Sequence, residues 1–280
     1  MVVRMKTLSY IFTCLLAINA LSAQEPLPRN KALGQLFHNY DPAKKTARWV
    51  CTATSDNGWP CDKHNVTVSI TVLLMAEVLE DKSEKAYIVA SAEPADLPNG
   101  FDCHMCAPAI GVAVFKWQGE QWTLQSANST AGFYGEWGNP PGVDMVEVGP
   151  EKHGLLLYED DLAQGYAWSF SRLLLPVGDT VKESWRIQDE QDNDGAYDPT
   201  DKLNKQVPYR SSAAFKFIAT DRQNGGSDDY YDLEVISRGR GRQNFDNPVK
   251  SENWTEIYRF SDGKYKLIRH TDFIEIKKAR

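Results

Sequence analysis

The run Val66-Thr67-Val68-Ser69-Ile70-Thr71-Val72, answered by Ala86-Tyr87-Ile88-Val89-Ala90-Ser91-Ala92, decides the fold. Val66, Val68, Ile70 and Val72 fall on one side of an extended chain, and Thr67, Ser69 and Thr71 fall on the other. That period of two belongs to a strand with one buried face. Between the runs, Glu80-Asp81-Lys82-Ser83 is polar and turn-forming, so the pair reads as an antiparallel hairpin.

The same grammar continues along the chain. Strands are predicted at 109–117, 122–126, 145–148, 154–158, 166–175, 181–188, 213–219, 231–237, 256–260, 265–269 and 273–277. Their close spacing leaves no room for long helical crossovers, which predicts an all-β protein of antiparallel sheets, sandwich-like or propeller-like. Two hairpins share a device: Trp117 and Trp122 flank Gly119, and Phe260 and Tyr265 flank Gly263. Across a tight turn such rings pair on one face, each pair contributing about 0.2–1 kcal/mol. A single helix is expected before the first strand, where Leu33, Leu36, Phe37 and Tyr40 recur at helical spacing and Asn30 is placed to cap it.

The first 23 residues read as a cleavable signal peptide. Arg4 and Lys6 precede an apolar stretch from Leu8 to Ile18, followed by the small-residue segment ending at Ala23. That stretch is too short for a membrane span, which needs about 20 residues. Residues 24–280 are expected to form a single β-rich domain, with the polar stretch 188–207 as a long loop or a subdivision point. Without the leader, 29 basic residues face 38 acidic ones, a net charge of −9. This field argues against a nucleic-acid partner. The expected location is the periplasm or the medium, with no membrane insertion.

Four cysteines remain after the leader: Cys51, Cys61, Cys103 and Cys106. An even number in an oxidising compartment predicts two disulfides. Pairing Cys51 with Cys61 and Cys103 with Cys106 closes the smallest rings, and a crossed pairing is the alternative. Cys103-His104-Met105-Cys106 also has the spacing of a redox pair or of half a zinc site. However, Ile110, Val112 and Val114 follow it in strand alternation, not in a helix whose N-terminus would stabilise a thiolate. A structural disulfide is the preferred reading.

Two acidic loops are candidate cation sites. Glu190, Asp192, Asp194, Asp198 and Asp201 place oxygens around Gly195 at a spacing that suits calcium, although Glu190 stands where such loops begin with Asp and Asp201 where a bidentate Glu is usual. The alternative is a solvated loop. The second loop, Asp221 to Asp232, contains Asn224-Gly225-Gly226-Ser227-Asp228-Asp229 and runs into Asp232-Leu233-Glu234-Val235. This segment resembles the FG-GAP type of β-propeller repeat, whose calcium loop leads into an Asp-Leu strand. The likeness implies a propeller and calcium as the cofactor, but the Asp-x-Asn-Gly-Asp-Gly core is not reproduced. The Cys103-His104-Met105-Cys106-Ala107-Pro108 segment, entering a strand and the Trp117/Trp122 hairpin, is similar to exported, uncharacterised bacterial β-rich proteins. No activity comes with that resemblance.

Candidate contact residues form two groups. Phe133, Tyr134 and Trp137 lie in a loop rich in Gly and Pro, suited to stacking on a sugar, anchoring a protein interface or capping the core. Arg238, Arg240 and Arg242 alternate with glycines at a strand end, where they solvate the surface or meet an acidic partner. The G-x-S-x-G nucleophile elbow, the H-E-x-x-H zinc motif, the P-loop and the G-x-G-x-x-G dinucleotide fingerprint are missing, while the many acids leave a glycosidase-like carboxylate pair open without placing it. The expected function is therefore an exported binding protein acting by surface recognition of a protein partner, as an inhibitor or immunity protein does. A calcium-dependent carbohydrate-active or lectin-like protein is the alternative.

Overall fold

A computed structural model describes residues 25–50, 59, 65–97, 100–198, 200, 207–219, 230–241 and 248–273. The predicted leader, Cys51, Cys61, Asp201, Arg242 and most of the 221–232 loop lie outside the described residues. The fold is all-β with one short helix, and every strand pairing is antiparallel. Helix α1 spans Arg29–Leu36. Its N-cap is Pro28, which makes no side-chain cap bond, so the expectation for Asn30 is corrected: Asn30 lies inside the first turn. The helix is held instead by burying Ala32, Leu33 and Leu36.

Strands β1 (Thr46–Val50), β2 (Asn65–Glu80), β3 (Ser83–Pro94), β4 (Ala109–Gln118) and β5 (Gln121–Phe133) form a five-stranded meander. The remaining strands are β6 (Gly142–Gly149), β7 (Lys152–Ala163), β8 (Tyr166–Val177), β9 (Thr180–Asp192), β10 (Arg210–Ile218), β11 (Asp232–Gly241), β12 (Lys250–Ser251), β13 (Trp254–Ser261) and β14 (Lys264–Asp272). They build a nine-stranded sheet in the order β14-β13-β11-β10-β9-β8-β7-β6, with β12 pairing β11 on the side. This larger sheet curls into a half-barrel. Its first strand returns toward β11, where the Tyr231 amide donates to the Val148 carbonyl at 2.8 Å. The arrangement is two packed sheets, not the radial blades of a propeller. The 188–207 stretch does not interrupt the larger sheet, because β9 continues to Asp192 and pairs there with Arg210 of β10.

The core has three layers of contact. Ala86, Ile88 and Ala90 of β3, with Ala113 and Phe115 of β4, face α1 and the tryptophans Trp49, Trp59 and Trp122. The alternate residues Tyr87, Val89, Ile110, Val112 and Val114 face Leu155, Leu157, Leu174 and Val181 of the larger sheet. Because β3 and β4 are buried on both faces, they read as near-continuous apolar runs. Leu173, Leu175, Trp185, Leu233, Val235 and Tyr265 line the inside of the curl. Gly111 makes room for Phe37, since a Cβ there would come within 2.6 Å of the Phe37 ring.

A β-bulge in β2 between Val72 and Leu74 explains why that strand stops alternating cleanly. Val66, Val68 and Ile70 face the helix layer before it, whereas Leu74 and Val78 face the larger sheet after it. Both predicted aromatic hairpins are present. Trp117 meets Trp122 at 5.3 Å and Phe260 meets Tyr265 at 5.5 Å, each edge to face. No helix among the described residues is long and apolar enough to cross a membrane.

Candidate functional site

Along β7, Leu155, Leu157, Glu159 and Asp161 share one face of the strand. The two leucines belong to the core between the sheets, but beyond them this face turns acidic. The neighbouring strands change in the same way: Leu174 is followed on its own face of β8 by Arg172, Phe170 and Trp168, and Val181 of β9 is followed by Glu183. The intersheet layer therefore passes from an apolar interior to a polar rim.

Arg172 organises the inner part of that rim. Its Nε donates to Glu159 at 2.6 Å, its Nη1 donates to Glu183 at 3.1 Å, and the guanidinium lies over the Tyr134 ring. Burial alone would lower the Arg172 pKa, but the two carboxylates outweigh it and the net shift is upward. The Tyr134 hydroxyl also donates to Glu183, and desolvation with that carboxylate's charge pushes its pKa above the ordinary tyrosine value. The other oxygen of Glu159 accepts the Gly135 amide at 2.8 Å. Of the loop aromatics, Tyr134 is buried and Phe133 packs on Trp59, so both serve the core, while Trp137 is 49% exposed.

Trp137 occupies a two-residue turn between Glu136 and Asn139. Trp137 and Gly138 both have positive φ, 53° and 72°, as a type I′ turn requires. For a bulky residue this conformation is strained and persists only where the surroundings enforce it. They do so here. The Gly138 amide donates to the Cys106 carbonyl at 2.7 Å, and a Cβ on Gly138 would fall 1.8 Å from the Phe101 carbonyl oxygen.

The Cys103–Cys106 disulfide is formed. It closes the loop whose second residue, His104, leans over the turn with its ring 5.2 Å from that of Trp137. His104 Nε2 lies 3.1 Å from Asp161 Oδ1 and 3.8 Å from Glu136 Oε2. Glu136 Oε2 is shielded from solvent yet has no hydrogen-bond partner. Desolvation, reinforced by Asp161 and partly offset by His104, pushes the Glu136 carboxyl up to about 7. His104, Glu136 and Asp161 are the one group of metal-ligating side chains that converges among the described residues. Trp168 stands opposite Asp161 on β8 and stacks on Tyr166.

The proposed calcium loop is arranged differently. Glu190 is paired with Arg210 at 2.9 Å, Asp192 accepts the Asp194 amide, and Asp198 accepts the amide and hydroxyl of Thr200. Asp194 is exposed, and no three of these described carboxylates bring ligand oxygens within 4.8 Å of one another. Buried Asn193 is what shapes the loop, bonding the Tyr209 amide and the Val207 carbonyl. Asp232 of the second loop accepts from Nε and Nη2 of Arg259, one on each carboxylate oxygen. Arg238 and Arg240 are exposed on β11, and Arg238 lies over the Phe273 ring.

In the sequence His104 stands only between two cysteines, and neither Glu136 nor Asp161 belongs to a recognisable motif. A faint signal existed in the acid-rich run Glu159-Asp160-Asp161 and in Glu136 beside an exposed tryptophan, but nothing along the chain tied them together. No family model, curated protein or solved structure matches the chain.

Proposed function

We propose that this is an exported binding protein that recognises a protein partner through the rim where the Cys103–Cys106 loop, the Trp137 turn and the end of β7 meet. The observation that carries the reading is Trp137. A large aromatic ring stands half-exposed on a backbone held in the left-handed region, with the disulfide loop behind it and the Glu159–Arg172 pair beside it. A ring fixed before binding loses little conformational entropy on association, the property that makes tryptophan an interface anchor. Met105, 60% exposed on the neighbouring loop, extends the apolar surface with an adaptable side chain. The leader read from residues 1–23 and the disulfide support an oxidising compartment outside the cytoplasm.

The test is site-specific photo-crosslinking in the producing cell. A photoreactive residue at 137 or 105 is expected to trap one discrete protein species that a residue at Leu124, exposed on the other sheet, does not. Equal or absent crosslinking at all three positions overturns the reading.

A second reading, a lectin-like carbohydrate-active protein, draws on Tyr166 and Trp168 stacked beside Asp161. It predicts saturable quenching of tryptophan emission by a glycan, lost in Trp168→Ala. Its calcium component, at Glu190 to Asp201, predicts a melting temperature that falls on chelation and recovers with calcium.

A further inference from the structure

We propose that His104, Glu136 and Asp161 bind a transition-metal dication of the zinc class, leaving a coordination position open to solvent. The three side chains come from separate elements: the disulfide loop, the tight turn after β5 and the outer end of β7. Each offers one ligand atom, and these atoms lie within 4.8 Å of one another. Zinc bonds to nitrogen and oxygen of about 2.0–2.2 Å imply tetrahedral edges of about 3.4 Å. The His104–Asp161 and His104–Glu136 separations, 3.1 and 3.8 Å, bracket that edge.

The charge pattern points the same way. Two carboxylates face one imidazole, so with both carboxylates ionised the group keeps a net negative charge even when His104 is protonated. Asp160 adds to the negative field felt by Glu136. Beside the His104–Asp161 pair, Glu136 Oε2 is shielded from water and faces the Asp161 carboxylate, itself an acceptor, so that oxygen is satisfied only by a proton shared between the two carboxyls or by a cation. A cation between the three answers that oxygen directly. The imidazole discriminates among metals: calcium and magnesium take oxygen ligands, whereas nitrogen with carboxylate suits zinc and its neighbours. Both His104 and Asp161 are about one-third exposed, which gives the ion an entry path and a free side for water or a partner's side chain. Nothing here depends on which macromolecule the rim recognises.

His270 provides an internal comparison. It also touches two carboxylates, but Glu256 meets Nδ1 and Asp272 meets Nε2, so the two oxygens lie on opposite edges of the ring and cannot share one ion with it.

The experiment is calorimetric titration of the metal-free full-length mature protein, disulfide intact, with zinc chloride, alongside thermal melts and cobalt absorption spectra. Wild type and His270→Ala are expected to bind one equivalent and to gain on the order of 5 °C in melting temperature at a hundredfold excess over Kd. His104→Ala and Asp161→Asn are expected to lose at least tenfold in affinity, while metal-free melts and circular dichroism show both variants folded. Cobalt is expected to give visible absorption bands of a four- or five-coordinate site in wild type, and none in His104→Ala. Crosslinking at position 137 is read separately, so a failure of partner recognition is distinct from a failure of metal binding. Absence of a single tight equivalent in wild type, or its survival in both ligand variants, overturns the proposal.

Discussion

Lys85 Nζ lies 2.6 Å from Glu80 Oε1 with both side chains more than nine-tenths buried. The pair closes the β2–β3 hairpin from inside, and the second Glu80 oxygen accepts the Tyr87 hydroxyl at 2.7 Å. Burial, reinforced by that carboxylate, drives the Tyr87 pKa upward, so the phenol stays a donor. Breaking one member of a buried pair leaves the other charge desolvated, at a cost of about 3–5 kcal/mol. Glu80→Gln and Lys85→Met are each expected to lower stability by that amount in urea denaturation. Replacing both with Met should recover much of the loss. Single substitutions costing less than about 1 kcal/mol would show that the pair is solvated.

Arg172 is expected to be intolerant of lysine. Its guanidinium meets Glu159 and Glu183 on separate nitrogens while its plane covers Tyr134, and an ammonium cannot reproduce that set of contacts. Arg172→Lys should cost about 2–4 kcal/mol, in the range for breaking a partly buried charged network. Because Glu159 also holds the Gly135 amide, hydrogen exchange across 135–139 should accelerate more than exchange in β3. Uniform acceleration over the whole chain would instead indicate a purely global loss.

The architecture was legible where burial repeats along the chain and obscure where it does not. Val66 to Val72 and Ala86 to Ala92 announce strands because one face must be apolar. The hydrophobic run of β7 ends at Tyr158 and predicts a strand over 154–158 only, yet the strand runs to Ala163, and Asp161 lies on that polar extension. The short strand β1 has too faint a pattern to be predicted, because only Ala47 and Trp49 carry it. The Cys103–Cys106 bond follows from local spacing, whereas His104, Glu136 and Asp161 meet through the packing of two sheets, which no local period encodes.

Asp81 links the β2–β3 turn to the turn before β7, where Lys152 Nζ approaches it at 2.8 Å. The hydrogen bond and charge of Lys152 hold the Asp81 carboxyl below its ordinary value of 3.8, more than offsetting partial desolvation. A depressed folded pKa means the unfolded chain binds the proton more tightly. The stabilisation is therefore complete above the unfolded value and lost as pH falls through the lower folded one. Carboxyl NMR titration should find the Asp81 midpoint depressed in wild type and shifted upward in Lys152→Met. An unchanged midpoint would mean the turns are not coupled in solution.

Gly138 and Gly119 separate backbone strain from steric contact. Both have positive φ, 72° and 55°, so alanine at either pays the left-handed penalty of about 1–2 kcal/mol. Around Gly119 there is open space, and Gly119→Ala should cost little beyond that. At Gly138 the new Cβ would fall 1.8 Å from the Phe101 carbonyl, and relieving the overlap moves the turn away from the disulfide loop. That motion also breaks the bond from the Gly138 amide to Cys106 and draws Glu136 away from His104. Gly138→Ala should therefore cost at least 1 kcal/mol more than Gly119→Ala in urea melts and shift the His104 imidazole resonances, which Gly119→Ala leaves in place. Equal costs, with His104 unmoved in both, would mean that the Trp137 turn is not anchored on the disulfide loop.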